Sequence, residues 1–296
     1  MMSQDSNDTS SISFTAHYTG YVWYKQGWSD IRLTTRQGAR YFQALRPVEW
    51  LARTIVGTDI KSTLLQRHAL IDRELVRNIE AHRHTQVLEI AAGLSPRGFS
   101  FRQRYPQLGY TEADLPAMAQ RKRQLLSTMQ ADTPLHRTLT CNILNTDSAD
   151  SLENLLMREF DHSQPITVIT EGLVNYFPRP VMNTFWTRLA NALRDFPEAC
   201  YLTDVYPEVQ QHRFARLIQK ANRLLGWVTR SNFSLHFRDH HEAEQQFLAC
   251  GFSQLQVFDP NQELAASHLP VVRGGAVVRV IRADLHPSPT TASTTA

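Results

Sequence analysis

Between about Gln86 and Arg282, short apolar runs alternate with stretches of helical period, which predicts a parallel sheet covered on both faces by helices. The runs predict seven strands: Gln86–Ala91, Leu108–Leu115, Arg137–Ile143, Ile166–Thr170, Ala199–Val205, Gln254–Phe258 and Ala276–Arg282. The helical period is clearest over Val181–Phe196, where Phe185, Leu189, Ala192, Leu193 and Phe196 share one face behind the turn at Pro178 and Pro180. A further helix over Glu242–Cys250 should end at Gly251, a residue suited to a left-handed cap. Pro270 and Gly274-Gly275 precede the last strand without an obvious crossover helix, so that strand is expected to run antiparallel. The expected fold class is therefore α/β, a doubly wound, mostly parallel sheet of seven strands.

Two regions lie outside the alternation. Residues 14–80 look helical, with Leu64, Leu65, His68, Ile71, Leu75 and Ile79 at helical spacing, and residues 206–240 form a long insertion after the fifth strand. Ligands of open α/β sheets bind beyond the carboxyl ends of the strands. Long extra segments usually serve a site, so Phe14–Gly27 and part of 206–240 are expected to form lids over it. Residues 1–13 and 286–296 are polar, without apolar period, and are expected to be disordered, which leaves one domain over 14–285.

Composition narrows the class. The 296 residues are 42% apolar and 20% charged, enough for a substantial core, and the net charge of +3 is too small and scattered for a nucleic-acid surface. The one basic run, Arg121-Lys122-Arg123, reads as a solvated helix face. Cys141, Cys200 and Cys250 are far apart and odd in number, which suits small core residues in a reducing compartment better than disulfides or a thiolate zinc site. No leader and no membrane-spanning run is visible, so cytoplasmic residence is expected by default, with no membrane partner. Neighbouring His240 and His241 point apart on a helix, so with His236 and Asp239 they suggest no metal centre. No nucleophile elbow surrounds any serine.

The chemistry is concentrated in three segments. In Val87–Gly98 (VLEIAAGLSPRG) an apolar strand runs into small residues and then a helix start, with Ser95 able to cap and Pro96 suited to the first helical position. Such a turn can receive the pyrophosphate of a dinucleotide or the amino-acid end of S-adenosylmethionine. Ala91 stands where a dinucleotide fingerprint has its first glycine, and Gly93 where it has its second, which weakens the dehydrogenase reading. About twenty residues on, YTEADLP places Glu112 and Asp114 on the same side of the second strand, near its end, where a carboxylate could accept ribose hydroxyls. Spacing alone does not choose between them. In TEGLVNYF, Glu171 follows five residues of mostly buried type and needs a partner, for which a cationic ligand is one candidate.

In order and spacing, LEIAAGLSPRGF, YTEADLP and ITEGLVNYF, with QRHALID at 66–72, resemble the leucine carboxyl methyltransferase family and its bacterial relatives over roughly Leu64–Phe177. The resemblance implies a Rossmann-like class I S-adenosylmethionine-dependent O-methyltransferase. By position it implies that Gly93 packs under the methionine part of the cofactor beside Glu89 and Ala91, and that Arg67 binds its carboxylate. It further implies that Asp114 holds the ribose, Glu171 lines the amino end, and Asn142 and Ile143 read the adenine. The sequence departs from the family at Ala91, Ser95 and Asn142, where the family has glycine, aspartate and aspartate. The start AHYTGYVW resembles a lid-forming segment, and Lys25 is a candidate for a lysine the family carries there.

The expected function is methyl transfer from S-adenosylmethionine to a small-molecule hydroxyl or a carboxylate. A hydroxyl acceptor needs a base, for which His17, Tyr18 and Tyr176 are candidates; a carboxylate needs none. The alternatives are a nicotinamide-dependent oxidoreductase on the same architecture and a non-catalytic S-adenosylmethionine-binding protein. For Arg67 the structural alternative is an ion pair with a neighbour such as Glu74.

Overall fold

The computed structural model describes residues 8–55, 60–207, 234–264 and 276–286. Seven strands form one sheet: β1 Gln86–Ile90, β2 Gly109–Asp114, β3 His136–Thr140, β4 Ile166–Thr170, β5 Ala199–Val205, β6 Gln254–Phe258 and β7 Arg279–Leu285. Their order is β3-β2-β1-β4-β5-β7-β6. The pairs β1/β2, β2/β3, β1/β4 and β4/β5 are parallel, and β7 runs antiparallel to both β5 and β6. The chain leaves β1 to one side and returns on the other at β4, so the switch point lies between β1 and β4.

Alternation along β1 builds both layers of the core. Leu88 and Ile90 face a cluster completed by Leu155, Trp186 and Phe247, while Val87 faces the opposite layer with Leu70, Ile71, Leu75 and Phe101. The helices over 14–80 are α1 Asp8–Lys25, α2 Arg36–Ile55 and α3 Ile60–Glu80, with a single 3-10 turn at Ile31–Leu33. Helix α1 thus begins ahead of Phe14, the expected start of the domain. After β1 come α4 Arg97–Arg104, α5 Pro116–Thr128, α6 Leu152–Glu159 and α7 Arg179–Leu193. The helix His240–Cys250 ends at Gly251 with φ of 108°, the left-handed cap the sequence requires.

Several boundaries differ from the sequence pattern. The last strand is antiparallel as expected, but it occupies Arg279–Leu285 rather than Ala276–Arg282, because it pairs with every residue of β5 from Ala199↔Leu285 to Val205↔Arg279. Arg282 and Asp284 gave that stretch the look of a strand end; both are buried, and they neutralise each other at 2.8 Å. Strand β3 stops at Thr140, short of Ile143, because Asn142 enters a turn in which its side chain accepts the Leu144 N–H at 3.0 Å. Lys122 is not on a solvated face: its ammonium is buried, 2.6 Å from Glu112 and 2.6 Å from the Ser95 carbonyl. A carboxylate inside the sheet requires such a partner. The glycine pair at 274–275, Pro270 and most of the 206–240 insertion lie outside the described residues. Among the described residues, no helix is long and apolar enough to cross a membrane.

Candidate functional site

A cavity of about 320 Å³ lies where the carboxyl ends of β1, β2 and β4 meet α1. Its sheet side is made by Glu89, Ala91, Gly93, Asp114 and Glu171, with Arg67 from α3. Thr15, Ala16, His17, Thr19 and Trp23 of α1 cover it, so the amino-terminal segment occupies the position expected of a lid.

The turn after β1 gives the cavity its floor. Ala91 has φ of 55° and Gly93 φ of 51°. A Cβ on Gly93 would stand 3.2 Å from the Ala16 Cβ, so glycine permits α1 to settle close to the turn. The helix start is shifted from the expected one. Helix α4 begins at Arg97, Pro96 takes the cap position, and the Ser95 hydroxyl accepts only the Arg97 N–H, at 3.2 Å.

The two acids of β2 have separate surroundings. Asp114 lines the cavity, and its oxygens accept the N–H groups of Gly93 (2.7 Å) and Leu115 (2.8 Å). Burial pushes its pKa up, and those two donors oppose the shift. Glu112 lies deeper, outside the cavity lining, paired with Lys122 and with His136 at 3.0 Å. Gly98 has no room for a side chain, since a Cβ there would meet the Glu112 carboxylate and the His136 ring.

Behind the cavity lies a buried ionic network. Arg67 donates from Nε to Glu171 at 3.0 Å and from Nη1 to Asp204 at 3.1 Å and the Tyr206 hydroxyl at 3.4 Å. Asp204 also accepts the Gly172 N–H at 2.6 Å. Arg97 donates to Asp72 (2.5 Å), Glu89 (2.5 Å) and Glu171 (2.6 Å), and Tyr110 donates to the other oxygen of Glu89 at 2.7 Å. His68 Nδ1 stands 2.7 Å from Glu171 while its ring lies against Trp23 and Trp28. Burial disfavours the Glu171 charge, but His68, Arg97 and Arg67 together hold its pKa well below the usual carboxylate range. Burial likewise opposes the Arg67 charge and is outweighed by Asp204, Tyr206 and Glu171, leaving its pKa above the ordinary value. Asp204 is pushed upward by burial against the pull of Arg67.

Among the described residues, the hydrogen bonds of Arg67 engage Nε and Nη1 and leave its Nη2 edge outside them. Gly172, at φ of 70°, borders that edge, and a Cβ there would come within 2.8 Å of Nη2. The pairing suggested with Glu74 does not form. Glu74 instead pairs with Arg73 at 2.9 Å and lies 3.6 Å from Arg282.

Of the three candidate bases, His17 and Tyr176 line the cavity and Tyr18 does not. Tyr18 is buried in an apolar cluster with Val22, Trp23, Leu64 and Leu65, where its ring stacks on Phe42 of α2. The His17 ring is 3.1 Å from the Thr35 hydroxyl, and burial, aided by Arg121, lowers its pKa. Tyr176 bonds Thr15 across the cavity at 2.8 Å, and burial raises its pKa. Asn142 and Ile143 do not line the cavity: Asn142 is used in its turn, and Ile143 is a core residue whose carbonyl accepts Arg188. Lys25 is exposed beside the Tyr21 ring, away from the lining. Asp239 caps its helix by accepting the Glu242 N–H, and His236 Nε2 lies 3.2 Å from the Val174 carbonyl. The sequence pattern assigns no role to Arg97 or Asp204, and Arg121, read there as part of a solvated helix face, lines the cavity. Asp204 carried the same signal as Glu171, an acid in an otherwise apolar strand, and Arg97 stood inside the motif already singled out.

The model of the leucine carboxyl methyltransferase family matches residues 32–189, which is more than half of the chain. The chain belongs to that family. No curated protein matches it. Among solved structures, a candidate methyltransferase from Thermobifida fusca is similar at TM-score 0.60 and 15% identity, covering 93% of this chain and 94% of that one. A DUF574 family protein from Streptomyces avermitilis gives TM-score 0.59 at 15% identity, covering 92% and 97%. A candidate O-methyltransferase from Nostoc punctiforme gives 0.50 at 13%, covering 94% and 72%. These likenesses are of fold, and family membership makes the chain a methyltransferase.

Proposed function

We propose that the chain is an S-adenosylmethionine-dependent O-methyltransferase acting on a small-molecule hydroxyl or a carboxylate. The observation that carries this reading is the cavity wall in which Asp114, fixed by Gly93, and Arg67, fixed by Glu171 and Asp204, face one enclosed space. Its volume falls in the range of small-molecule sites, roughly 300–1,000 Å³. The available edge of Arg67 suits a carboxylate, Glu89 and Glu171 suit an ammonium, and Asp114 suits a ribose diol. When bound, the cofactor supplies a methyl group on a sulfonium leaving group.

The protein's own part is then to position the reactants and exclude water, and α1 supplies the cover. The raised pKa of Tyr176 keeps its phenol protonated near neutral pH, which suits it to donate a hydrogen bond and not to act as a base. His17, lowered, is neutral there and is the better candidate to take a proton from a hydroxyl acceptor. A carboxylate acceptor would need neither.

The test has two parts. Calorimetry of the purified chain should give saturable one-to-one binding of S-adenosylmethionine and S-adenosylhomocysteine and none of nicotinamide dinucleotides. Incubation with methyl-labelled donor and panels of hydroxy and carboxy compounds should then place label on oxygen. Binding of a nicotinamide cofactor in place of the donor would overturn the reading, and label on nitrogen or carbon alone would overturn the O-methyl part.

A further inference from the structure

Four carboxylates, Asp72, Glu89, Glu171 and Asp204, share the two guanidinium groups of Arg67 and Arg97. The side chains of Arg67, Arg97, Glu89, Glu171 and Asp204 are each less than a tenth exposed, and Asp72 is 32% exposed. Among the described residues, adding the remaining charged residues of the lining, Asp114 and the exposed Arg121, leaves the surplus of acid unchanged. His68 offsets one charge at most. A buried wall with more carboxylates than cations is costly unless something completes it.

We propose that this surplus is a charge filter. It makes the cavity bind the positively charged sulfonium donor more tightly than the neutral thioether left after transfer, and so favours product exchange. The inference rests on the methyl-donor reading above. The amino-acid head of donor and product is the same zwitterion, so it contributes equally to both. The sulfonium charge is what distinguishes them. Cover by α1 and the small exposure of the network keep the field from being screened, since buried charges interact through a lower effective dielectric than surface ones. Glu89 and Glu171 lie in the lining itself, whereas Asp72 and Asp204 act through the arginines they hold.

Calorimetry with S-adenosylmethionine and S-adenosylhomocysteine on the full chain tests the filter through the ratio of their dissociation constants. Glu89→Gln and Asp72→Asn each remove one charge and keep an oxygen to accept from Arg97. The wild type should favour the sulfonium form. Glu89→Gln should lower that preference roughly three- to thirty-fold, and the partly exposed Asp72→Asn should lower it in the same direction by less. If Glu89→Gln does not fold, Asp72→Asn carries the test. A ratio unchanged in the folded variants, or a wild type that prefers the thioether, would overturn the proposal. Failure of both compounds to bind wild type would instead remove the methyl-donor reading on which it rests.

Discussion

Replacing Arg67 is the most demanding test of the proposed donor geometry. Arg67 is 5% exposed and held by Glu171 and Asp204, with Nη2 left outside its hydrogen bonds among the described residues. A desolvated charged pair that loses one partner typically costs about 2–5 kcal/mol, so Arg67→Ala should weaken S-adenosylhomocysteine by roughly 30-fold to several thousand-fold. The same change also strips a cation from two buried carboxylates, which costs the fold about 3–5 kcal/mol. Arg67→Lys is therefore needed beside it. Lysine keeps the charge but not the planar fork, and should recover stability more fully than affinity. The assay is calorimetry with two ligands, S-adenosylhomocysteine and 5′-methylthioadenosine, on variants whose melting has been checked. The second ligand lacks the amino-acid end and should bind either variant about as well as wild type. Equal loss for both ligands, or loss for neither, would mean that Arg67 serves the ionic network alone and does not hold the carboxylate.

Two further outcomes follow from backbone and burial. Ala91 sits at φ of 55°, where an L side chain costs about 1–2 kcal/mol, so Ala91→Gly should raise the melting temperature by about 2 °C, and a fall in Tm would refute the strain. His84 is pulled down to about 4 by burial, partly opposed by Glu198, so the native state keeps it neutral. Its unfolded form takes up a proton near the ordinary value of 6.5, so stability should be full above that pH and decline as pH falls toward 4, by about 3 kcal/mol at most. Urea unfolding across that window should show a flatter slope for His84→Gln, and an unchanged slope would locate the acid sensitivity elsewhere.

What the sequence reveals of this site follows from which interactions are local. The turn after β1 is legible because strand, small residues and helix start are contiguous, and β1 and β4 declare themselves by apolar runs. Helix boundaries and the last strand are less so. The end of β7 depends on β5, its pairing partner far away in sequence, and the Arg282–Asp284 pair that permits burial looks polar when read alone. The charged residues show the same limit more sharply. Lys122 stands in a basic run that reads as solvent-facing, yet Glu112 draws it inside. Arg97 is quoted within the cofactor motif, but its role depends on Asp72, Glu89 and Glu171 from three other elements. Local pattern can mark an acid such as Glu171 as one that needs a partner; it cannot say that two arginines already share it. That sharing changes the argument about function. A lone buried Glu171 would call for a cation simply to pair it, whereas a paired Glu171 within a network short of cations among the described residues makes the charge of the ligand a matter of the whole wall.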